Sequence, residues 1–294
     1  MTQKLNLTEP GVPGEIKYKI SQFPDGQQSV EIDPETVDIS LPVEISARLT
    51  SFRSLELIIS ATQDLYELGV KEISLYVPYF LGARSDRKFS KGSSNYLKTV
   101  ICPIINSQNY TKVTVIDAHS DVLEACLNHF EKLTNLGVVS FAMSGIEHGD
   151  CAKEDIVIVS PDAGALKKIY DVAQSFSIPN VITAGKVRDI PTGKIIATEV
   201  PDCSKYVGKK FLIVDDICDG GRTFIELAKA IQSQLPDADC YLCVTHGIFS
   251  AGLVELNKYF KGIFCTNSYI DMENSEFSMR NDNKMHKLHQ MNVF

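Results

Sequence analysis

The stretch FLIVDDICDGGRTF, residues 211–224, places two adjacent carboxylates, Asp215 and Asp216, directly after an apolar run. An apolar run followed by Gly220 and Gly221 and then by helical spacing predicts a buried strand, a loop and a helix. Glycines let the backbone approach an anion closely, and the first amides of a helix bind phosphate oxygens. The segment therefore predicts a phosphate-binding loop beside an acidic pair.

The acidic pair needs an explanation of its own, because two like charges at the end of a buried strand repel each other. Asp215 and Asp216 are explained if they accept hydrogen bonds from sugar hydroxyls, with Asp219 beside the loop and Thr223 on the phosphate. A sugar phosphate would satisfy both parts of the segment at once. The alternative is a capped helix preceded by an acidic pair that is merely solvated.

The rest of the chain alternates short apolar runs with segments of helical period, which predicts βαβ units and mostly parallel sheets. The predicted strands cover residues 72–77, 112–117, 155–160, 179–184, 210–215 and 239–244. The predicted helices cover residues 52–68, 93–106, 163–175, 223–233 and 250–259. The first 45 residues instead suggest a small antiparallel element, in which IKYKISQF and QSVEI flank the turn PDGQ. The predicted fold class is therefore α/β.

Two similar domains are expected, because each half sends two strand ends with polar groups toward one edge of its sheet. The boundary is placed in the polar region 140–154, which gives domains 1–147 and 148–294. The second half also contains AGKVRDIPTGK, a segment rich in glycine, proline and charge that is typical of a mobile loop.

Composition excludes several classes of protein. The net charge of −8 and the lack of a basic stretch argue against nucleic-acid binding, and no apolar run is long enough to span a membrane. The first residues lack a leader pattern, so a cytoplasmic location is expected. The eight cysteines are expected to be free thiols, and a metal site at Cys240, Cys243 and His246 is disfavoured because a second pair is missing.

The segment LIVDDICDGGRT resembles the ribose 5-phosphate binding signature of phosphoribosyltransferases and of ribose-phosphate diphosphokinases. Further segments resemble the diphosphokinase family in its order: VPYFLGARSDRK (77–88), VIDAHS (115–120), IVSPDAGALKK (158–168), GKVR (185–188) and VTHGIFSAG (244–252). Phosphoribosyltransferases share only the signature at 215–223. The resemblance covers roughly residues 20–270 and implies two phosphoribosyltransferase-like domains, the first binding ATP and the second a ribose phosphate acceptor.

The resemblance also implies roles for individual residues. The positions that hold ATP in this family correspond to Phe23, Asp25, Gln27, Arg84, Asp86 and His119. The acceptor positions correspond to Asp162, Asp215, Asp216, Asp219, Gly220, Gly221, Arg222 and Thr223. Lys186 and Arg188 match the catalytic pair, and their KxR spacing lets two side chains of an extended segment point the same way. His119 and Asp162 match the ligands of Mg²⁺, the cofactor that the resemblance implies.

The implied reaction moves the β,γ-diphosphate of Mg-ATP to the anomeric hydroxyl of a ribose 5-phosphate, releasing AMP. Gln27, Ser85 and Arg222 stand where the family usually carries other residues. Arg222 could pair with a second phosphate of a larger acceptor such as ADP-ribose, or it could point outward from the helix. Rival interpretations are a type I phosphoribosyltransferase and a regulatory subunit without catalysis. A homo-oligomer is expected, a dimer through the first domain or a higher assembly.

Overall fold

The structure of the chain is a computed structural model, and it describes residues 2–8, 15–146, 152–188, 195–272 and 287–294. For residues 186–188 and 195–197 it describes the backbone alone. The chain forms two compact units, the first containing Met1–Thr134 with Val293–Phe294, and the second containing Asn135–Asn292.

The first unit is built on a five-stranded parallel sheet with the strand order β1-β4-β5-β6-β7. Its strands are β1 (Gln3–Asn6), β4 (Val43–Ser46), β5 (Ile73–Tyr76), β6 (Val113–Ile116) and β7 (Phe130–Leu133). The antiparallel hairpin β2 (Tyr18–Gln22) and β3 (Gln28–Ile32) forms around the predicted turn. The expectation that all of the first 45 residues form an antiparallel element is wrong, because β1 and β4 join the parallel sheet and bury Leu5, Val43 and Ile45 there.

The helices of the first unit are α1 (Phe52–Leu68), a π-helical turn (Leu97–Ile101), α2 (Cys102–Asn106) and α3 (Val122–Cys126); the short 3₁₀ turn Pro34–Thr36 precedes β4. The bounds of α1 match the prediction, since Ser51 and Ser54 cap its start and Gly69 ends it in a left-handed conformation. The helix predicted over 93–106 begins only at Leu97. Its first turn is π-helical, with the Cys102 amide donating to the Leu97 carbonyl. Pro103 would crowd the carbonyl of residue 99 in a regular helix, which favours this wider turn.

The second unit contains a six-stranded parallel sheet with the order β15-β14-β13-β12-β8-β9. Its strands are β8 (Ile156–Ser160), β9 (Asn180–Thr183), β12 (Lys210–Cys218), β13 (Asp239–Gly247), β14 (Gly262–Thr266) and β15 (Leu288–Met291). Its helices are α4 (Leu136–Ile146), α5 (Leu166–Phe176), α6 (Arg222–Gln234) and α7 (Leu256–Tyr259), with 3₁₀ turns at Lys153–Asp155 and Ser204–Tyr206.

Alternate residues of the central strand β12 are buried on opposite faces of the second sheet. Phe211 and Ile213 belong to the core that contains α6, whereas Leu212 and Val214 belong to the core that contains α4 and α5. A strand covered on both faces reads as a continuous apolar run, which is why the sequence pattern identified it. The predicted α/β class with parallel sheets flanked by helices is confirmed.

The units divide between Thr134 and Asn135, whereas the sequence placed the domain boundary after residue 147. The difference is α4, whose Val138, Val139 and Ala142 pack into the core of the second unit. Seven of the cysteines lie in the part of the chain that the structure describes, and all seven are free thiols as predicted. No helix among the described residues is long and apolar enough to cross a membrane.

Two segments differ from the expected local structure. Residues 185–188 form strand β10 (Gly185–Arg188), which pairs antiparallel with β11 (Ile195–Glu199), whereas an irregular loop was expected. The β-branched residues of β11 favour this pairing. The helix predicted over 250–259 is limited to Leu256–Tyr259, because Phe249 and Gly252 adopt left-handed backbone conformations that a helix cannot contain.

Candidate functional site

The acidic pair lies inside strand β12 and not after it. β12 pairs with β8 only as far as Ile213, opposite Val159, but it pairs with β13 as far as Cys218, opposite Gly247. Asp215 and Asp216 therefore lie on a stretch of strand that has passed the end of its β8 pairing. The carboxyl ends of parallel strands are where open α/β sheets bind their ligands.

The protein holds these two carboxylates in an environment that disfavours their charge. Asp216 is 6% exposed, and its backbone amide donates to Asp215 Oδ1 at 2.9 Å. Burial and the negative charge of Asp216 raise the pKa of Asp215 well above its usual value, while Lys168 in the first turn of α5 acts in the opposite direction. Ligand groups that donate hydrogen bonds or carry positive charge would relieve this cost.

The loop after β12 has the backbone geometry that was predicted for an anion site. Gly221 lies at the N-terminus of α6 with φ 78° and ψ −5°, a conformation that favours glycine. A Cβ on Gly220 would meet no atom within 4 Å, so that side of the loop is open. The first amides of α6 have no acceptor within the helix and lie at its positive end. Thr223 is half-buried and Arg222 is exposed.

Asp219 and Asp162 each accept hydrogen bonds within the second unit. Asp219 Oδ1 accepts a hydrogen bond of 2.5 Å from Ser250 Oγ. Asp162 follows β8, and its Oδ1 accepts from the amides of Gly164 and Ala165 at 2.9 and 3.2 Å. One oxygen of Asp162 thus fixes the turn that leads into α5.

The structure brings the acceptor residues together in the second unit. β8 and β12 are neighbours, so Asp162 follows the strand beside the one that contains the acidic pair, and Lys168 is close enough to Asp215 to affect its pKa. Lys168 was not among the predicted site residues. Its place in the segment IVSPDAGALKK was visible, but its proximity to Asp215 depends on the packing of α5.

In the first unit, the predicted ATP residues include a carboxylate whose charge is well compensated. Asp86 is 5% exposed, and Arg87 Nε donates to its Oδ1 at 2.9 Å. Burial alone would raise the pKa of Asp86, but Arg87, Ser120 and His119 together hold it below its usual value. Asp86 and His119 are therefore near each other, and Arg87 is a partner that the sequence did not single out.

Arg84 and His119 are exposed. A ligand at the surface of the first unit could therefore reach both side chains. Neither participates in the buried core of the first unit. Among the residues that the structure describes, no group of three or more His, Cys, Asp or Glu side chains is arranged to hold a metal ion.

The three predicted hairpin residues lie on the turn between β2 and β3. The Phe23 amide donates to the Gln27 carbonyl at 2.9 Å, and Asp25 Oδ1 accepts from the Gln27 amide at 3.1 Å. Phe23 is 52% exposed, although large aromatic side chains are usually buried. An exposed ring on a rigid turn is available for stacking against a flat ligand.

Lys186 and Arg188 lie on β10, opposite Thr198 and Ile195 of β11. The register shifts between Val187 and Arg188. The side chains of both residues lie outside the described part of the structure, so their assignment to catalysis stays a prediction.

A family model described as a phosphoribosyl transferase domain matches residues 136–279, which include α4 to β14 and the acidic loop. The chain is 26% identical over 249 residues to the ribose-phosphate pyrophosphokinase of Mycoplasma genitalium, covering 84% of this chain and 70% of that protein. The ribose-phosphate pyrophosphokinase of Thermosipho africanus is 26% identical over 242 residues, covering 82% and 70%. The chain is therefore similar to ribose-phosphate pyrophosphokinases over most of its length, and to the phosphoribosyl transferase domain over its second unit.

A solved structure has a similar fold. The crystal structure of phosphoribosylpyrophosphate synthetase from Mycobacterium smegmatis superimposes with a TM-score of 0.77 at 17% identity, covering 99% of this chain and 94% of that chain. Because the match extends over nearly the whole chain, the similarity of fold includes both units.

Proposed function

We propose that this chain transfers the β,γ-diphosphate of ATP to the anomeric hydroxyl of ribose 5-phosphate or of a larger molecule that contains it. The single observation that carries the proposal is the segment from Asp215 to Thr223. There an acidic pair, with Asp216 buried and Asp215 half-buried and raised in pKa, precedes the loop at Gly220 and Gly221 that leads into α6. A sugar phosphate offers hydroxyl donors to the first part and an anion to the second.

The second unit provides the groups that hold the acceptor. Hydroxyls of the sugar donate hydrogen bonds to Asp215 and Asp216. These bonds take the place of the hydrogen bonds to water that the two carboxylates lack in the folded protein. The 5-phosphate binds the amides at Gly220–Thr223. Asp219 then fixes the orientation of the ring, which brings the anomeric hydroxyl into position for attack.

The first unit provides the groups that hold ATP. The ring of Phe23 stacks on the base, and Arg84 pairs with phosphate oxygens. Asp86 is kept ionised and accepts a hydrogen bond from an amino or hydroxyl group of the nucleotide. Asp25 and Gln27 supply further polar contacts on the hairpin turn.

Mg²⁺ would be held through His119 and Asp162, and when bound it neutralises phosphate charge. Mg²⁺ prefers oxygen ligands and keeps several waters. The exposed imidazole of His119 fits contact through water, and the carboxylate of Asp162, whose Oδ1 fixes the turn before α5, fits direct or water-mediated contact.

In the transfer itself, the anomeric oxygen forms a bond to the β-phosphorus, and the bond between that phosphorus and the oxygen bridging to the α-phosphate breaks. AMP leaves with the bridging oxygen, and the hydroxyl proton is released. Such transfers require positioning and charge stabilisation more than covalent chemistry. Lys186 and Arg188 supply two positive charges for the transferring phosphoryl oxygens.

The first test is to incubate the purified full chain with Mg²⁺ and ATP, adding ribose 5-phosphate or ADP-ribose in turn, and to measure AMP. AMP formed in proportion to the 1-diphosphorylated sugar supports the proposal. If no AMP forms with either acceptor, the proposal is contradicted. That result would favour a phosphoribosyltransferase, which consumes the 1-diphosphate, or a regulatory subunit without catalysis.

The second test is Lys186→Ala, which we expect to lower kcat by about 10² to 10³ while the thermal midpoint stays unchanged. Lys71→Ala, an exposed lysine away from the predicted site residues, is the control for loss of one positive charge. Turnover of Lys186→Ala within a factor of three of wild type would remove this residue from the mechanism.

The exposed guanidinium of Arg222 favours a second candidate acceptor. Arg222 is the first residue of α6, next to the loop that takes the 5-phosphate, and it can reach a further phosphate. ADP-ribose carries such a phosphate. AMP release with ribose 5-phosphate alone would exclude this larger acceptor.

The predicted homo-oligomer is tested separately, by measuring the mass of the full chain in solution by light scattering.

A further inference from the structure

The segment that follows β13 is tied to the end of β12 by two backbone hydrogen bonds. The amides of Ile248 and Phe249 both donate to the carbonyl of Cys218, at 2.9 and 3.1 Å. Cys218 is the last residue of β12, and the proposed acceptor loop begins immediately after it. The conformation of the segment after β13 therefore bears directly on that loop.

The segment has a fixed shape. Phe249 has φ 46°, which is unusual for a residue with a large side chain, and its ring is 1% exposed. A Cβ at position 247 would lie 2.3 Å from this ring, so glycine is required where the ring folds back on the strand. Gly252, with φ 73°, closes the turn by donating its amide to the Phe249 carbonyl at 2.8 Å. The buried ring holds the strained turn in place, which fixes the position of Ser250.

Ser250 is the residue of this turn that contacts the acceptor loop through its side chain. Its Oγ donates to Asp219 Oδ1 at 2.5 Å, from a position 31 residues further along the chain. An ionised carboxylate is only an acceptor, so a hydroxyl donor selects one orientation of it. We propose that Ser250 is a positioning residue, which holds the Asp219 carboxylate in the orientation that binds the acceptor sugar.

This assignment rests on the proposed function, in which Asp219 orients the acceptor. A carboxylate that is already oriented loses less conformational entropy when the sugar binds, so its affinity for the sugar is higher. Ser250 is itself exposed, where water competes for the hydrogen bond and its contribution to folding is small. Loss of the hydroxyl should therefore affect acceptor binding and leave the stability of the protein unchanged.

The experiment compares the full chain with Ser250→Ala, Ser250→Thr and a control, Ser233→Ala. Ser233 is an exposed serine of α6 whose hydroxyl donates within its own helix. Steady-state kinetics with Mg-ATP are measured with whichever acceptor the wild-type chain uses, ribose 5-phosphate or ADP-ribose. For Ser250→Ala we expect KM for the acceptor to rise about fivefold to tenfold, with kcat and the KM for ATP within about twofold of wild type. Ser250→Thr keeps the hydroxyl and should restore the acceptor KM to within about twofold of the wild-type value.

Three results would overturn the assignment: an unchanged acceptor KM in Ser250→Ala, an equal rise in Ser250→Thr, or an equal rise in Ser233→Ala. A loss of kcat with no change in KM would also overturn it, because orientation of the acceptor would then not be the affected step. A wild-type chain that releases no AMP with either acceptor contradicts the proposed function itself, and this assignment falls with it. The two failures are distinguished by the wild-type activity.

Discussion

Asp86 in the first unit and Asp215 in the second are both carboxylates with restricted access to water, since Asp86 is buried after β5 and Asp215 is half-buried within β12. At Asp86, Arg87, Ser120 and His119 outweigh the effect of burial, and the pKa is lowered. At Asp215, burial and the charge of Asp216 outweigh the effect of Lys168, and the pKa is raised. The protein thus compensates one carboxylate and leaves the other at a net electrostatic cost.

The difference indicates what each site asks of its ligand. A carboxylate that the protein already stabilises can take part in binding without depending on the ligand for its charge. The ionised form of a carboxylate with a raised pKa is stabilised most by a ligand that supplies hydrogen-bond donors or positive charge. Sugar hydroxyls supply such donors. Strongly perturbed pKa values of this kind cluster at functional sites, where burial and neighbouring like charges are arranged to shift them.

The largest effect that sharpens this comparison is expected from Asp215→Asn. We expect kcat/KM for the acceptor to fall by about 10² to 10³, because the amide supplies only one acceptor oxygen and introduces donors that face the sugar hydroxyls. Asp237→Asn, at an exposed aspartate of the second unit, is the control. A fall of less than threefold in the Asp215 variant would mean that this carboxylate does not bind the acceptor.

A smaller effect is expected from Asp86→Asn. The substitution removes the charge that Arg87 stabilises, so the free energy of unfolding should decrease by about 1 kcal/mol, which lowers the thermal midpoint by about 2 to 4 °C. The KM for ATP should rise while the KM for the acceptor stays the same. An Asp86→Asn variant as stable as wild type would show that Arg87 contributes nothing measurable to this carboxylate.

An effect of similar size on the thermal midpoint is expected from the pH dependence at Asp215, and its sign is opposite to that at Asp86. A carboxyl with a raised pKa binds its proton more tightly in the folded state, so the wild-type chain loses stability as pH rises above the usual value of 3.8. Asp215→Asn removes that loss, and at pH 7 it should raise the thermal midpoint by about 2 to 4 °C. The gain should shrink toward zero as pH falls to 4.

For Asp86 the lowered pKa gives the reverse dependence. Its contribution to stability is present above the usual pKa and is lost as pH falls through the pKa of the folded state. Differential scanning fluorimetry of both variants between pH 4 and pH 8 measures the two trends. Two differences of the same sign at pH 7 would contradict the comparison.

The sequence was most informative where a single segment carries the whole pattern. The strands β8 and β12 contain apolar runs buried on both faces, and α1 has caps at both ends, so local rules identified them. By contrast, β7 has the sequence FEKL and is mostly exposed, which gives it no strand pattern to read. α4 carries no charged residue, and its exposed side bears only Gly137, Ser140, Ser144 and Gly145, so it lacks the charged face by which a surface helix is recognised.

The candidate site divides in the same way. Asp215 to Thr223 form one continuous segment, and the sequence identified them from their order alone. Lys168, Arg87 and Ser250 were missed, because their relevance depends on contacts that the residue types do not reveal. Ser250 contacts Asp219 only because Phe249 turns back over Gly247, and the sequence had suggested a helix at that place.

We infer above all that the segment Asp215–Thr223 binds the phosphorylated sugar. The most direct test is a nuclear magnetic resonance titration of the isotopically labelled full chain with ribose 5-phosphate in the absence of ATP. We expect the amide signals of residues 215–223 to shift first and to saturate together, while the signals of Arg84, Asp86 and His119 stay unchanged. Shifts confined to those three residues, with 215–223 unaffected at saturation, would contradict it.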